Sequence, residues 1–272
     1  MSYDSEFAAQ ALGSAVKRPA RRIWVAASIA SLVGMITVNA LANALPLNGL
    51  TTGAISDGYP IWFVPAGYVF SIWGLIYLAL IAFTAAQALS SAAEAVLAPV
   101  RPLFVLSCIA NGAWIFAWHF LQLGLSVLLM LTLLGSLIAI YRRLQLVSVA
   151  TLRPLVRRAL FVPMSLYLGW ICVATIANVS ALLAKLGWGG APLTGPTWAA
   201  VMMVVATGII LTLALRFNDA IPPLVAIWAF VGIMVRFPEQ LTMRLTGGTM
   251  TFGLVAVVAW VLVRQVRRGR AV

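Results

Sequence analysis

Apolar runs of roughly 20 residues, separated by short polar or basic joints, recur eight times along this chain. They fall at about 23–45, 62–90, 102–122, 124–141, 159–184, 197–215, 220–236 and 248–264. A helix of about 20 apolar residues matches the hydrocarbon thickness of a bilayer. Membrane barrel strands would instead read as alternating segments of about ten residues. Helices also satisfy their own backbone hydrogen bonds, which a lipid environment requires. The pattern predicts an all-α membrane protein, a polytopic bundle of about eight transmembrane helices. The first run is too long for the apolar core of a cleavable signal. Asn39-Ala40-Leu41-Ala42-Asn43 leads from it towards the next helix and not to a processing site.

Composition agrees. Of 272 residues, 63% are hydrophobic and 9% charged, with mean hydropathy +1.04. A soluble domain of this length has no means of covering so much apolar surface with so few charges. The net charge of +12 raises nucleic acid as a partner, but the cations flank the apolar runs and form no basic-aromatic module, so nucleic acid is excluded. Lys17, Arg18, Arg21 and Arg22 precede the first run. Eight crossings then put Arg101, Arg142, Arg143, Arg153, Arg157, Arg158, Arg216, Arg264, Arg267, Arg268 and Arg270 on the same side, and only Lys185, Arg236 and Arg244 on the other. By the positive-inside rule both termini are cytoplasmic, with residues 1–22 a cytoplasmic tail, and a bacterial cytoplasmic (inner) membrane is the expected location. Membrane lipids are then partners, and the connector from Arg142 to Arg158 is expected to lie on anionic headgroups.

Chemistry that would make an enzyme is missing. Cys108 and Cys172 both fall inside predicted spans and read as small buried hydrophobes. His119 is the only histidine, so neither a histidine metal cluster nor a triad can form. The acids Asp4, Glu6, Asp57, Glu94, Asp219 and Glu239 lie in predicted tails or loops, without spacing for general acid–base work or divalent metal binding. No catalytic residue, metal site or obligatory cofactor is expected.

Three spans instead carry aromatic-polar stripes. Phe70, Trp73 and Tyr77 share one helical face of the second, and Asn111, Trp114 and Trp118 one face of the third. In the fifth, Trp170, Ala174 and Asn178 align, with Thr175 beside them. Amides within hydrocarbon are costly unless satisfied, so Asn111 and Asn178 should point into the bundle. Two explanations compete. The polar groups could bond across helices and glue the bundle, or the three faces could meet around a ligand pocket. The loop from Pro46 to Ile61, punctuated by Asn48-Gly49, Gly53, Asp57-Gly58 and Pro60, is the longest non-helical stretch between spans on its side and a candidate lid. His119 is expected at the headgroup level, with axial ligation of haem as the alternative. Leu137, Tyr141 and Arg143 fit a permissive sterol-contact pattern.

The run from Pro65 to Tyr77, then Asn111 with Trp114, then Phe161-Val162-Pro163 followed by Trp170, Thr175 and Asn178, resembles the TspO/MBR family of translocator and tryptophan-rich sensory proteins. The resemblance covers roughly residues 23–188. It implies a five-helix bundle with a pocket open towards the first inter-helix loop, and ligands such as porphyrins, other tetrapyrroles and sterols. Carried onto this chain, Trp73, Tyr77, Asn111, Trp114, Trp170 and Thr175 would line that pocket. The chain departs from the family in having Pro65-Ala66 for two prolines, Tyr68 for a tryptophan, and no tryptophan in the fourth span. It also has three further spans over 189–272, where the family unit ends after five.

The expected function is binding of a flat hydrophobic ligand, of porphyrin, haem or sterol type, for sensing or transport. The alternative is a secondary transporter of a small hydrophobic metabolite. Phe63-Val64-Pro65 echoes Phe161-Val162-Pro163, a faint sign of inverted repeats, but no span holds a central carboxylate or lysine to couple ions. The protein partner left open is a second copy of the chain.

Overall fold

The computed structural model describes residues 3–45, 47–90, 92–146 and 152–269, with side chains between 20 and 267. The N-terminal stretch read as a tail is helical from Tyr3, where α1 (Tyr3–Ala44) begins. After it come α2 (Thr52–Asp57), α3 (Ile72–Leu89), α4 (Glu94–Leu97), α5 (Arg101–His119) and α6 (Leu123–Leu146). The chain continues through α7 (Pro154–Lys185), α8 (Gly195–Phe217), α9 (Ile221–Arg236) and α10 (Leu241–Gly269). The described residues contain no strand.

Seven segments are long and apolar enough to cross a membrane. The eighth predicted span is the short one: α9 has 16 residues, about 24 Å of helix at 1.5 Å per residue. It nevertheless runs the depth of the bundle. Beside its first turn, Asp219 accepts hydrogen bonds from Tyr141 and Ser165. At its other end Arg236 pairs with Asp57 of α2.

Contacts of this kind sort the helix ends into two groups. At one end Arg21 meets Glu94, Arg143 donates to the Pro99 carbonyl and Gln265 to the Asn218 carbonyl. At the other, Asn48 donates to the carbonyl of His119 and Lys185 to that of Leu121. The first is the basic end and the second the loop end. Successive spans alternate between them, so α1 starts and α10 finishes at the basic end.

The bundle is built around α7. Helices α3, α6 and α9 all pack on it, α1 lies against α5 and α3, and α8, α9 and α10 pack on one another. Gly169 lets α9 come close, since a Cβ there would lie 3.1 Å from the Cα of Pro222. Cys108 and Cys172 are buried free thiols.

Two local expectations are corrected. The second span does not start as a helix at 62. Residues 62–66 are irregular, Gly67–Ser71 is a 3-10 turn, and only from Ile72 is the chain α-helical. Pro65 has no N–H to give a helix and biases Val64 towards extended backbone. The freed backbone is covered by protein, as it must be at membrane depth. Phe63, Val64 and Val69 are buried, and the Ala66 N–H donates to the Gly232 carbonyl at 3.0 Å. The second correction concerns the 46–61 loop, where Pro46 lies outside the described residues. It is partly helical, because Thr51 caps α2 by accepting from the Ala54 N–H.

Candidate functional site

The stripes meet. Trp118, Trp114, Trp73 and Tyr77 form a ladder of near-parallel rings across α5 and α3, with centroid spacings of 5.8, 6.5 and 5.7 Å. Trp170 of α7 stands edge-on to Trp73 at 6.2 Å and to Phe70 at 6.1 Å. Offset-parallel and edge-to-face geometries are those that aromatic quadrupoles favour. Phe70 reaches the cluster from the 3-10 turn and not from the face of α3 that its spacing suggested.

A small cavity of about 40 Å³ sits against this ladder. Of the ten predicted residues, Phe70, Trp73, Trp114, Trp118, Trp170, Ala174 and Asn178 border it. Tyr77, Asn111 and Thr175 do not. Tyr77 lies one ring further along the ladder. The Thr175 hydroxyl donates to the Ile171 carbonyl of its own helix at 2.7 Å. Thr52 and Ser56 of α2, with Val64 and Pro65, close the loop end of the cavity, and Val173 and Ala177 complete the α7 wall.

The two asparagines divide the competing explanations between them. Asn111 is glue. It accepts from the Asn39 amide at 2.8 Å and donates to the Tyr167 hydroxyl at 2.9 Å, joining α1, α5 and α7 away from the cavity. Asn178 is glue and lining together. It accepts from the Trp114 indole N–H at 3.2 Å and donates to Ser126 at 2.9 Å, while bordering the cavity. The Trp170 indole N–H is buried without a partner.

His119 corrects another expectation. It is fully buried, because α2 folds over it. Its Nε2 lies 3.0 Å from the Thr52 hydroxyl and its Nδ1 3.2 Å from the Leu47 carbonyl, so both ring nitrogens are occupied within the cover. The Trp118 N–H donates to the Thr52 carbonyl, and the Thr52 N–H to Asn43. Sequence reasoning missed Thr52 as the anchor of the cover, since a threonine in a Gly-rich loop carries no periodic signal. Tyr141 of the sterol-contact pattern is also buried, its hydroxyl donating to Asp219 at 2.8 Å. The two Phe-Val-Pro triplets differ in backbone: 63–65 is irregular, and 161–163 lies within α7.

Fold and site together define a multi-pass α-helical membrane protein with an aromatic-lined cavity beneath a loop cover. A family model described as TSPO-like protein matches residues 24–263, and the chain belongs to that family. The match runs on through the last three helices. No curated protein and no solved structure matches the chain.

Proposed function

We propose that this protein binds a flat, mostly apolar ligand of porphyrin or sterol type between α3, α5 and α7, for sensing or transport. The observation that carries the reading is the cavity itself. It is walled by rings that offer stacking faces, and one of them, Trp170, has a buried indole N–H without a partner. Its lining offers indoles, hydroxyls and one amide but no acid, base or thiol, which suits binding and not catalysis. About 40 Å³ admits molecules the size of water and is far too small for a porphyrin ring. A porphyrin therefore requires α2 to lift and the ladder to part. The polar contacts that hold the cover are those of Thr52 with Asn43, Trp118 and His119, those of Leu47 and Asn48 with His119, and the Arg236–Asp57 pair. The same reading puts the protein in a bacterial cytoplasmic membrane with the basic end inwards.

Titrating detergent-solubilised protein with protoporphyrin while following Trp fluorescence tests the proposal. Saturable quenching is expected, weakened tenfold or more by Trp73→Leu and by Trp170→Leu. Undiminished binding in both variants would overturn it.

A further inference from the structure

Nearer the start of α7 than the aromatic cavity, two hollows adjoin. One is a polar cleft of about 410 Å³ at the basic end. It is bordered by Arg157 and Arg158 on the first turns of α7, by Asn218 and Asp219 in the α8–α9 joint, and by Gln145 and Gln265. The other is an apolar groove of about 490 Å³, floored by Val162 and Leu166 of α7. Its walls are Leu75 and Ala79 on α3, and Leu224 and Trp228 on α9. Val162 and Ile221 border both, so cleft and groove meet at these two residues. Helices α3 and α9 each pack on α7, and the groove is the gap between them.

The cleft's hydrogen-bonding groups are unevenly spent. Asp219 is well supplied, by the hydroxyls of Tyr141 and Ser165 and by the Ile221 N–H. Asn218 gives its backbone carbonyl to Gln265, but its side-chain oxygen is buried without a donor. Among the described residues, neither Arg157 nor Arg158 forms an ion pair with an acid. Two free guanidiniums against one satisfied carboxylate leave the cleft net positive. They match a phosphate in geometry as well as charge. The orphan acceptor asks for a donor within reach of that phosphate. The groove asks for a hydrocarbon chain leading away from it.

We propose that cleft and groove form one site for an anionic phospholipid with a hydroxyl-bearing headgroup, of the phosphatidylglycerol kind. The phosphodiester sits on Arg157 and Arg158, a headgroup hydroxyl donates to the Asn218 side chain, and one acyl chain lies along α7 between α3 and α9. Basic pockets between membrane helices commonly take anionic headgroups in this way. Site binding differs from the diffuse attraction of a basic face, because it depends on these two arginines and on the open groove.

The test uses the full chain in neutral detergent, with thermal midpoint read against added dioleoyl phosphatidylglycerol, dioleoyl phosphatidylcholine or soluble glycerol 3-phosphate. Phosphatidylglycerol should stabilise saturably at a concentration at least tenfold below phosphatidylcholine, and glycerol 3-phosphate should have no such effect. Arg157→Gln with Arg158→Gln should abolish the preference, and Ala79→Trp, which fills the groove, should weaken it. Arg22→Gln with Arg142→Gln removes the same charge from the same end outside the cleft and should leave the preference intact. Equal stabilisation by the two lipids would overturn the proposal. So would loss of the preference in the Arg22/Arg142 pair to the same degree as in the Arg157/Arg158 pair, or glycerol 3-phosphate matching phosphatidylglycerol.

Discussion

Asn111 and Trp73 lie on neighbouring walls of the bundle, and their side chains do opposite work. Replacing Asn111 by alanine leaves the Tyr167 hydroxyl without its donor and removes the acceptor of Asn39, all in buried surroundings. Orphaning buried polar groups costs about 1–3 kcal/mol each. Asn111→Ala is thus expected to lower the thermal midpoint in detergent while leaving protoporphyrin affinity within about twofold, because it does not border the cavity. Trp73→Leu should show the reverse emphasis, with affinity falling tenfold or more. Measuring midpoint and affinity on both variants checks the division, and a large affinity loss in Asn111→Ala would count against it. At this scale the sequence was legible for residue type and face. Ring stripes at helical spacing marked seven of the cavity's neighbours. What it left unreadable was the partner of each polar group: Tyr167 and Asn39 lie 56 and 72 positions from Asn111, beyond any local pattern.

Elements depend on contacts that only the fold supplies. The irregular 62–66 segment and the 3-10 turn that follows exist because α9 comes close enough to accept the Ala66 N–H. That approach needs a glycine at 232, where a Cβ would overlap the Val69 side chain and lie 3.1 Å from Pro65. Gly232→Val should therefore cost about 1–3 kcal/mol by overpacking and displace the turn that carries Phe70. Near-ultraviolet circular dichroism and the thermal midpoint would register both. Hydropathy could not foresee this, since 62–66 holds no charged residue and runs on into the apolar helix that follows. At the basic end, Glu94 of α4 holds α1 and α5 together, bonded to both terminal nitrogens of buried Arg101 at 2.7 and 2.8 Å and to Arg21 at 2.9 Å. The hydrogen bonds from Arg101 keep its carboxyl below the usual carboxylate range. A folded value below the unfolded one means the stabilisation is present above the ordinary carboxylate value. It is lost as pH falls through that value and on through the folded one. Wild-type protein should lose stability across this acid window, and Glu94→Gln should be less stable near neutrality and show a flatter profile there. Parallel profiles would contradict the assignment.

Whether the first five spans can stand alone is decided across the whole molecule. The resemblance of residues 23–188 to a five-helix family suggested a separable unit, and the apolar runs gave no reason against it, because a span that packs on protein and one that faces lipid read alike in hydropathy. The contacts argue for one body. Removing everything after 188 would uncover Gly169 and its neighbours where Pro222 and Val225 sit. It would also take Asp219 from the buried Tyr141 and Ser165 hydroxyls, and Arg236 from Asp57 in the cover. The Ala66 N–H and the Val69 carbonyl, which are bonded to Gly232 and Trp228, would lose their partners. Lipid can replace apolar packing but has no hydrogen bonds to give at that depth. The losses at Ala66, Val69 and Asp57 fall on the turn and cover that close the aromatic cavity, and those at Tyr141 and Ser165 on the basic end. A chain ending at 188 is expected to express poorly, to aggregate on size exclusion in detergent and to lose saturable protoporphyrin quenching. Should that fragment instead run as a single species with unaltered affinity, α8–α10 would be an appendage and the cavity complete without them.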